Sequence, residues 1–454
     1  MKTKALILAA GQGTRMKSNE LKVLHKVFDK ALVEYPIAAA EYVGVDEICI
    51  IIGHKAENIK AKLGEGMTYV LQKEQLGTGH AVMQAKDFIK DADEVLILCG
   101  DTPLITGETL EKMLAFHRSQ NNALTVLSAI MDDPTGYGRI VRDENGHLLK
   151  IVEQKDANLE EQKIQEINGG MYVFNGKLLD YALSKITNQN AQNEYYLTDT
   201  IEILRNEGHL VDAVATEEKD DIAGVNSRAQ LAGVTEVMKQ RINAKHMANG
   251  VTLIDPNSTY ICPDVVIGKD TIIEPGCMLE GKTVIGEGCR IGYHSKLKNA
   301  VLSNNVDVEI SVILDSSVDE GTHVGPFAYI RPNSHIGKNI KVGDFVEIKN
   351  ANIGDGTKIS HLTYVGDADV GQNVNFGCGT VVVNYDGQKK HRTTIGDNAF
   401  IGCNTNLVSP VTVEDNAYTA AGSTITDTVP KNSLAIARAK QENKLEWVTK
   451  KRQK

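Results

Sequence analysis

The sequence predicts an N-terminal α/β domain with a mostly parallel sheet, a linker helix and a C-terminal solenoid. Three observations predict this fold class. Aliphatic residues recur at every sixth position in the C-terminal half of the 454-residue chain. Apolar runs alternate with helix-like segments in the N-terminal half, and a proline-free segment separates the two halves. We therefore expect domains at residues 1–226 and 250–454, joined by a helical linker at residues 227–249.

The N-terminal half alternates between short apolar runs and segments of helical character, such as Val33–Val43 and Gly79–Ile89. Such alternation predicts an α/β domain whose strands are mostly parallel. The predicted strands are Ala5–Ala9, Glu47–Ile52, Val95–Cys99, Leu124–Ile130, Met171–Phe174 and Val211–Ala215.

The proposed linker contains no proline and places Leu231, Val234, Met238 and Ile242 three or four positions apart. This spacing gives a helix one apolar face. We expect the helix to connect the two domains.

The C-terminal half has a six-residue period, which neither a helix nor an alternating strand produces. A fixed short period indicates a solenoid. Six residues make one short strand plus a turn, so three such sides make a triangular coil with the aliphatic residue pointing inward. The period slips after Leu297, Ile348, Val365 and Val382. The repeat comprises Ile261, Ile267, Ile273, Leu279, Ile285, Ile291, Leu297, Val318, Val324, Ile330, Ile336, Val342, Ile348, Ile353, Ile359, Val365, Val370, Phe376, Val382, Ile395, Ile401, Leu407, Val413 and Ile425.

Glycine follows many of these aliphatic residues, as Gly268, Gly337 and Gly402 illustrate. We expect these glycines to serve the corners of the coil, because a positive φ is easy only without Cβ. The basic stretch Asn384–Thr393 breaks the period and is expected to project as a loop. A second basic segment, the tail after Pro430, ends the chain.

Composition excludes several classes of protein. A net charge of −10 and a pI of about 5.7 argue against a dedicated nucleic-acid binder. The seven cysteines are scattered without a CxxC pair, which argues against a disulfide framework or a zinc site and fits a reducing cytoplasm. No apolar stretch approaches the roughly 20 residues of a transmembrane helix, so we expect no membrane association.

The first predicted strand runs into Gly11-Gln12-Gly13-Thr14-Arg15-Met16, with Lys22 further on. Glycine lets backbone N–H groups approach a phosphate, and Arg15 and Lys22 supply cations for phosphoryl oxygens. The third glycine of a dinucleotide fingerprint and the P-loop pattern are both missing, which argues against an NAD enzyme. A tight turn with solvated cations is the alternative interpretation.

Asp101 lies just past the strand Val95–Cys99, at the edge where open α/β sheets bind ligands. An ordinary turn is the alternative interpretation of Asp101 and Pro103.

The string from Leu8 to Met16, with Lys22, resembles the signature of sugar-nucleotide pyrophosphorylases, whose nucleotidyltransferase domain is Rossmann-like. The resemblance implies that Asp101 and Asn226 hold Mg²⁺, although Asn226 could instead be a helix N-cap. Two protein ligands suffice, because Mg²⁺ keeps several waters and takes substrate phosphates. The resemblance assigns catalytic roles to Arg15 and Lys22 and contacts with UTP or its product to Leu8, Ala9, Ala10, Gly11, Lys22, Gln72, Gly77, Thr78, Gly138, Glu153, Asn168 and Asn226.

These assignments divide by function. Gln72, Gly77 and Thr78 match the uracil-reading segment, whereas Gly138, Glu153 and Asn168 match sugar contacts. The segment Asn193–Asp199 resembles a further wall of the sugar pocket. Without the resemblance, each would be a plain turn or surface group.

The six-residue repeat resembles the hexapeptide-repeat acyltransferases, whose fold is a left-handed parallel β-helix. The match makes His361 the general base. Acetyl transfer to an amine needs a base to take its proton, and an imidazole with an unperturbed pKa of about 6.5 can do this near neutral pH. On the sequence alone, a solvated coil residue is the alternative.

The same resemblance implies contacts with both acyl-transfer substrates. The glucosamine-phosphate contacts would be Arg331, Lys349, Tyr364 and Asn375, and the acetyl-CoA contacts Cys378, Asn384, Tyr385, Cys403, Ala421 and Arg438. The chain departs from the pattern at Cys378, where alanine is common, at Cys403, where serine is common, and at Cys99, where tyrosine is common. Cysteines at these positions could make the acyl-transfer half sensitive to thiol reagents.

Together the two resemblances cover nearly the whole chain. This combination resembles the family of bifunctional glucosamine-1-phosphate N-acetyltransferases and N-acetylglucosamine-1-phosphate uridylyltransferases. It implies Mg²⁺ as cofactor, acetyl-CoA and UTP as co-substrates, a cytoplasmic homotrimer, and UDP-N-acetylglucosamine, a cell-wall precursor, as product.

Two alternatives remain open. One is a single-activity nucleotidyltransferase whose solenoid serves only assembly or regulation; His361 and the Asn384–Asp386 loop argue against it. The other is a non-enzymatic exchange or scaffold subunit, which would have no need of Arg15, Lys22 and Asp101 together.

Overall fold

The computed structural model describes residues 1–452 and divides into two compact units, Met1–Met238 and Lys239–Lys454. Residues 453 and 454, at the end of the expected C-terminal domain, lie outside the described residues. The division falls within helix Arg228–Ala248, the helix expected at residues 227–249.

The first unit is an α/β domain whose core sheet is buried on both faces. Its strands are β1 (Thr3–Ala9), β2 (Lys26–Val27), β3 (Lys30–Ala31), β4 (Glu47–Ile52), β5 (Thr68–Leu71), β6 (Glu94–Cys99), β7 (Leu124–Ile130), β8 (Arg139–Arg142), β9 (Leu148–Val152), β10 (Glu166–Asn175) and β11 (Val211–Ala215). Its α-helices before the linker are α1 (Glu34–Tyr42), α2 (Ala56–Leu63), α3 (Thr78–Gln84), α4 (Lys86–Ile89), α5 (Gly107–Gln120), α6 (Gly176–Leu183) and α7 (Asp199–Asn206).

The main sheet has the order β11-β7-β10-β6-β1-β4-β5, and the β8–β9 hairpin pairs with β10. All neighbours in this order are parallel except β10, which runs antiparallel to β6 and β7. Helices cover both faces of the sheet. A strand that is buried on both faces has a continuous run of apolar residues in its sequence, and for this reason the strands could be predicted. The segment predicted as one helix, Gly79–Ile89, is two helices that meet at Ala85.

The carboxyl ends of the central strands lie at one edge of this sheet. Leu8 pairs with Cys99 and Ala9 pairs with Ile52, so the chain leaves β1, β6 and β4 at neighbouring points. Ligands of open α/β sheets bind at such an edge.

The second unit is a parallel β-helix built from three sheets of short strands. The first sheet contains Thr252–Leu253, Ile272–Ile273, Arg290–Ile291, Asp307–Val308, His323–Val324, Lys341–Asp344, Lys358–His361, Asn375–Phe376, Phe400–Ile401, Tyr418–Thr419 and Leu434–Ala435. The second contains Tyr260–Ile261, Met278–Glu280, Lys296–Lys298, Val312–Leu314, Tyr329–Ile330, Glu347–Lys349, Tyr364–Gly366, Val381–Val383, Asn406–Val408 and Thr424–Ile425. The third contains Val266–Ile267, Val284–Ile285, Val301–Leu302, Ser317–Val318, His335–Ile336, Asn352–Ile353, Ala368–Val370, Thr393–Ile395 and Thr412–Val413.

Every aliphatic or aromatic residue of the six-residue repeat is buried, most of them completely. Each fills the interior of its coil and stacks on the equivalent residue of the next coil. The predicted fold class, an α/β domain followed by a hexapeptide solenoid, is therefore confirmed.

The role predicted for the glycines that follow the aliphatic residues is wrong for most of them. Of Gly268, Gly337 and Gly402, none has a positive φ. A Cβ on each would instead lie 2.4–2.9 Å from the adjacent coil, such as 2.5 Å from Thr419 O at Gly402. These glycines allow neighbouring coils to approach closely. The left-handed corners are taken mainly by asparagine and aspartate, which tolerate that conformation better than other non-glycine residues.

The stretch Asn384–Thr393 leaves the solenoid as a hairpin-like loop, as expected. Tyr385 and Lys390 form an antiparallel bridge across it, and the Asp386 carboxylate accepts from Lys389 N and from the His391 ring. Arg392 anchors the base of the loop through two hydrogen bonds of 2.5 Å to Asp369. The tail ends in a short exposed helix, Trp447–Arg452.

Candidate active sites

In the first unit, most residues predicted to bind the nucleotide line one cavity of about 260 Å³ at the carboxyl edge of the sheet. Arg15 is not among the lining residues; its side chain is exposed on the 3-10 helix Thr14–Met16. The cavity is lined by Leu8, Ala10, Gly11, Lys22, Val23, Gln72, Gln75, Gly77, Thr78, Ala81, Cys99, Asp101 and Glu194.

Lys22, Asp101 and Asn226 meet at this cavity although they are far apart in the sequence. The Lys22 ammonium donates to Asp101 Oδ2 at 2.5 Å and to Asn226 Oδ1 at 3.0 Å. The backbone of Val225 donates to Asp101 O at 2.9 Å, which ties the Asn226 segment to the end of β6. Two side-chain oxygens thus converge on one cation.

These oxygens fit a Mg²⁺ ion. Carboxylate and amide oxygens are hard ligands, and Mg²⁺ needs few of them when substrate phosphates supply the rest. The Lys22 ammonium shows that both oxygens can reach the same positive charge.

Gly13 sets the position of Lys22. Its φ is 63°, and a Cβ there would lie 2.4 Å from Lys22 Cβ. The glycine of this loop is therefore required for both its backbone conformation and its contact with the catalytic lysine proposed from the sequence.

We expect Gly13→Ala to lower strongly the uridylyl transfer that the sequence resemblance implies, because the new methyl group displaces Lys22 from Asp101. The matched control is Gly44→Ala. Gly44 has a similar φ of 71° but open space around a Cβ, so both variants carry the same kind of backbone strain, roughly 1–2 kcal/mol. Steady-state kinetics and thermal melting of the two variants separate displacement from strain; equal activity in both would contradict this role of Gly13.

The predicted uracil-reading segment packs against the predicted wall Asn193–Asp199. Tyr195 N donates to Leu76 O at 2.7 Å, and Leu197 N donates to Thr78 Oγ1 at 3.1 Å. A Cβ on Gly77 would lie 2.5 Å from Tyr195 O. Gln72 is buried, and its amide donates to Gly77 O at 3.2 Å. The fold therefore holds a rigid amide beside the cavity.

Gly138, Glu153 and Asn168, the predicted sugar contacts, also come together. Asn168 N donates to Gly138 O at 2.9 Å, and a Cβ on Gly138 would lie 3.5 Å from both Asn168 Cβ and Glu153 Oε1. The ladder of β10 is interrupted after Asn168, whose Oδ1 accepts from Gly170 N at 2.9 Å. Asn168 itself is still paired with Ser128, and the register shifts between Asn168 and Tyr172.

Burial raises the pKa of the Glu153 carboxyl, and the nearby carboxylates Asp156, Asp199 and Glu194 act in the same direction. Asp199 opens α7, and burial with the charges of Glu202 and Asp156 raises its pKa to about 6. Carboxyl groups in this setting suit hydrogen bonding to neutral hydroxyls of a sugar.

Cys99 lies at the end of β6 and donates to Gly170 O at 3.2 Å. Burial raises the pKa of its thiol to about 12. The thiol is therefore protonated near neutral pH and is not a nucleophile.

In the second unit, four of the predicted acyl-transfer residues occupy equivalent turns of successive coils. In these four turns, and in the equivalent turn at Asp344 one coil earlier, the next residue is in the left-handed conformation, with φ between 43° and 75° at Phe345, Leu362, Gly379, Asn404 and Gly422. Backbone hydrogen bonds of 2.8–3.1 Å link each turn to the next. We call this set the turn column; its members are Asp344, His361, Cys378, Cys403 and Ala421.

Asp344 was not predicted from the sequence. Its Oδ1 lies 2.8 Å from His361 Nδ1, and the two residues are directly paired on adjacent strands. The hydrogen bond from His361 lowers the pKa of the Asp344 carboxyl. An ionised Asp344 fixes the proton on Nδ1 and leaves Nε2 to accept a proton. The signal available in the sequence was the position one coil earlier, 17 residues before His361.

A second group of predicted residues forms a cationic surface on the second sheet. Arg331 follows the strand that pairs with Glu347–Lys349, and its guanidinium bonds Glu347 at 2.7 Å. Contact with the Lys390 ammonium lowers the pKa of Lys349, and the charge of Arg331 acts in the same direction. Lys390, from the projecting loop, was not selected as a site residue from the sequence. Cations held this close together favour a bound anion such as a phosphate.

Tyr364 borders this surface, and its ring packs closely against Gly366. A Cβ on Gly366 would lie 2.3 Å from the Tyr364 hydroxyl, so only glycine leaves room for the ring. Asn384 is buried and donates to Tyr364 Oη at 3.3 Å and to Asp367 Oδ2 at 2.5 Å. The loop that begins at Asn384 is thus attached to the sheet that carries the cations.

The remaining predicted residues are placed separately. Asn375 lies on the first sheet, where it pairs with Lys358 and Phe400. Tyr385 is exposed on the projecting loop, where its hydroxyl donates to Gly387 O at 2.7 Å. Arg438 packs near the last turn of the column, since a Cβ on Gly422 would lie 3.7 Å from its Cδ.

Comparison with known proteins supports both halves. Residues 4–231 match the nucleotidyl transferase family, and residues 253–299 and 392–427 match the bacterial transferase hexapeptide (six repeats) family, which agrees with the expected left-handed β-helix. Within residues 1–452, no helix is both long and apolar enough to cross a membrane.

Full-length relatives carry the name "Bifunctional protein GlmU". The protein from Acetivibrio thermocellus is 57% identical over 98% of this chain and 97% of its own length. The protein from Clostridioides difficile is 54% identical over 100% and 99%. The protein from Clostridium beijerinckii is 57% identical over 98% of each.

Proposed function

This chain belongs to the GlmU family of bifunctional proteins, and from that membership we propose how its two sites divide their chemistry. The protein is a bifunctional enzyme of UDP-N-acetylglucosamine synthesis, with an acetyltransferase and a uridylyltransferase activity. The residue roles, Mg²⁺, acetyl-CoA and a homotrimer are the proposal.

Acetyl transfer takes place at the turn column. His361 Nε2 takes a proton from the amine of glucosamine 1-phosphate as that amine attacks the acetyl carbonyl, and the coenzyme A thiolate leaves. Asp344 stabilises the imidazolium that forms. Arg331, Lys349 and Lys390 bind the sugar phosphate, Tyr364 and Asn375 its hydroxyls. Acetyl-CoA extends along Cys378, Cys403, Ala421 and Arg438, with Asn384 and Tyr385 at the acetyl end.

The observation that carries this assignment is the turn column itself. The predicted general base, His361, lies on one edge of the solenoid with three of the six predicted acetyl-CoA contacts, Cys378, Cys403 and Ala421, although these were predicted from separate motifs. A solenoid serving only assembly would not need a histidine with an ion-pairing aspartate at that place.

Uridylyl transfer takes place at the cavity of the first unit. A phosphate oxygen of N-acetylglucosamine 1-phosphate attacks the α-phosphorus of UTP, and pyrophosphate leaves. Arg15 and Lys22 neutralise charge on the triphosphate, and the backbone at Leu8–Gly11 approaches it. Gln72, Gly77 and Thr78 hold the uracil; Gly138, Glu153 and Asn168 hold the sugar. Asp101 and Asn226 would hold Mg²⁺, which would supply further positive charge to the phosphates.

Assembly and location complete the proposal. A homotrimer places neighbouring solenoids side by side, so that the exposed turn column faces another copy of the chain. The enzyme works in the cytoplasm, where UTP and acetyl-CoA are both available, and it needs no nucleic-acid or membrane partner.

The direct test is mass spectrometry of one reaction with the purified chain, glucosamine 1-phosphate, acetyl-CoA, UTP and Mg²⁺. We expect UDP-N-acetylglucosamine. A nucleotide sugar formed only when N-acetylglucosamine 1-phosphate is supplied would overturn the acetyl-transfer assignment.

Asp344→Asn is expected to lower the kcat of acetyl transfer with little change in KM. The variant keeps the side-chain shape but removes the negative charge that stabilises the imidazolium. Asp319→Asn is the matched control, because Asp319 lies 3.3 Å from another solenoid histidine, His335. A kcat of Asp344→Asn equal to that of the wild type would exclude this role.

A further inference from the structure

Cys378 and Cys403 occupy the same position in two nearly identical turns. The turns are Gly377-Cys378-Gly379-Thr380 and Gly402-Cys403-Asn404-Thr405. In each, the threonine hydroxyl donates to the carbonyl of the leading glycine, at 2.8 Å in the first and 2.7 Å in the second. Because the turns repeat, the two cysteine side chains leave the backbone in the same direction.

The two turns lie on successive coils. Asn404 N donates to Cys378 O at 2.8 Å. Neighbouring strands lie about 4.8 Å apart, and a disulfide requires Cα atoms about 4.4–6.8 Å apart with side chains that do not diverge. The spacing of the two turns therefore meets the Cα–Cα requirement for a disulfide, and a small local shift brings the Cβ atoms to within the required distance of about 4.5 Å.

These two cysteines are also more exposed to solvent than the other cysteines of the chain. Both thiols are free and both residues are exposed, whereas Cys49, Cys262, Cys277 and Cys289 are buried. Burial raises the pKa of Cys49 and Cys99 to about 12 and that of Cys277 to about 11. Oxidation follows exposure and thiolate character, so it is directed to Cys378 and Cys403.

We propose that Cys378 and Cys403 together form a site of reversible oxidation. Low-molecular-weight disulfides oxidise the two neighbouring thiols to an intramolecular disulfide. The proposal rests on the acetyl-transfer site described above, because the pair lies in the turn column directly after His361. A disulfide there ties two coils together on the surface where acetyl-CoA must lie, so the oxidised form loses acetyl transfer. Uridylyl transfer, in the other unit, is unaffected.

The exchange is balanced. One cysteine, as its thiolate, attacks a sulfur of the small disulfide, forms a mixed disulfide and releases one small thiol. The second cysteine thiolate attacks the mixed disulfide at the protein sulfur and releases the other small thiol. The cysteine pair loses two electrons and two protons, and the small disulfide is reduced to two thiols. A dithiol reductant reverses both steps.

The test uses the full-length chain and oxidised glutathione as the probe. Intact mass and non-reducing peptide mapping are expected to show the loss of two hydrogens and a Cys378–Cys403 cross-link. Acetyl transfer is expected to be lost with the same time course and to recover on adding dithiothreitol, while uridylyl transfer from N-acetylglucosamine 1-phosphate continues.

Variants make the result specific. In Cys378→Ser and Cys403→Ser the cross-link cannot form, so intact mass is expected to show a glutathione adduct on the remaining cysteine and no loss of two hydrogens. The control Cys262→Ala removes a buried thiol and should leave the cross-link intact. In the wild-type chain, glutathione adducts without a cross-link, or a cross-link with undiminished acetyl transfer, would overturn the proposal. Absence of acetyl transfer from the fully reduced chain would instead overturn the proposed acetyl-transfer site.

Discussion

Replacing His361 by alanine is expected to lower the kcat of acetyl transfer about 10²- to 10⁴-fold, the usual contribution of a positioned general base. Without Nε2 no group in the turn column takes the proton from the attacking amine. The KM values for glucosamine 1-phosphate and acetyl-CoA should change little, since the cationic surface and the rest of the column remain. Uridylyl transfer should be unchanged, because it uses a site in the other unit. Separate assays of the two half-reactions on one preparation measure both effects.

His335→Ala is the matched control for this variant. His335 is also a half-exposed solenoid histidine, and it too lies beside an aspartate, Asp319, at 3.3 Å. It lies on the third sheet, outside the turn column. If both substitutions lowered acetyl transfer equally, a general loss of solenoid integrity would explain the result and the base assignment would fail. Loss of both activities in His361→Ala would contradict the two-site model.

Replacing Asp101 by alanine is expected to lower uridylyl transfer by about 10²- to 10³-fold or more, the loss seen when a preorganised electrostatic group is removed. The variant removes one proposed Mg²⁺ ligand and also the 2.5 Å ion pair that positions Lys22. Acetyl transfer should be unchanged. Kinetics with N-acetylglucosamine 1-phosphate and UTP give the rate, and calorimetric titration with Mn²⁺ gives the loss of metal affinity.

A control aspartate separates the local effect from a change in stability. Asp180 lies on α6 and makes an exposed ion pair with Lys86 at 3.0 Å, so Asp180→Ala should retain both activities and Mn²⁺ binding. Chelation of Mg²⁺ in the wild-type enzyme should reproduce the loss of uridylyl transfer and spare acetyl transfer. Unchanged Mn²⁺ affinity in Asp101→Ala would remove Asp101 from the metal site.

In the N-terminal half, the positions of buried strands could be predicted from the sequence, whereas the pairing of one strand could not. The strands Glu47–Ile52 and Leu124–Ile130, which are buried except at one end, have the bounds that the sequence predicted, because burial on both faces demands a continuous apolar run. The antiparallel placement of Glu166–Asn175 between two strands of opposite direction was not predictable, because pairing depends on contacts distant in the sequence. The pairing of this strand with β8 through Ile167 and Arg139, which places Asn168 near Gly138, was not predictable for the same reason.

The proposed site residues show the same division. Motifs identified Arg15, Lys22 and His361 because their residue types and neighbours follow family patterns. Asp344 and Lys390 carried no motif of their own, and only the stacking of coils and the return of the Asn384–Thr393 loop bring them to His361 and Lys349. Sequence motifs thus identify the residues proposed to do the chemistry, whereas the charged residues that contact them can be identified only from the fold.

The sequence by itself determined that the C-terminal half is a solenoid and that the N-terminal half is an α/β domain with a mostly parallel sheet. Each of these folds repeats a short pattern. In the solenoid it is an inward aliphatic residue every six positions, and in the α/β domain it is an apolar strand followed by a helix. Such patterns can be recognised in a short stretch of sequence. The tertiary structure alone decided that Lys22 meets Asp101 and Asn226, and that Asp344, His361, Cys378 and Cys403 stand in one column. Those contacts join residues from different strands or coils, and their distances are set by sheet order, strand register and coil stacking, which no short stretch of sequence encodes.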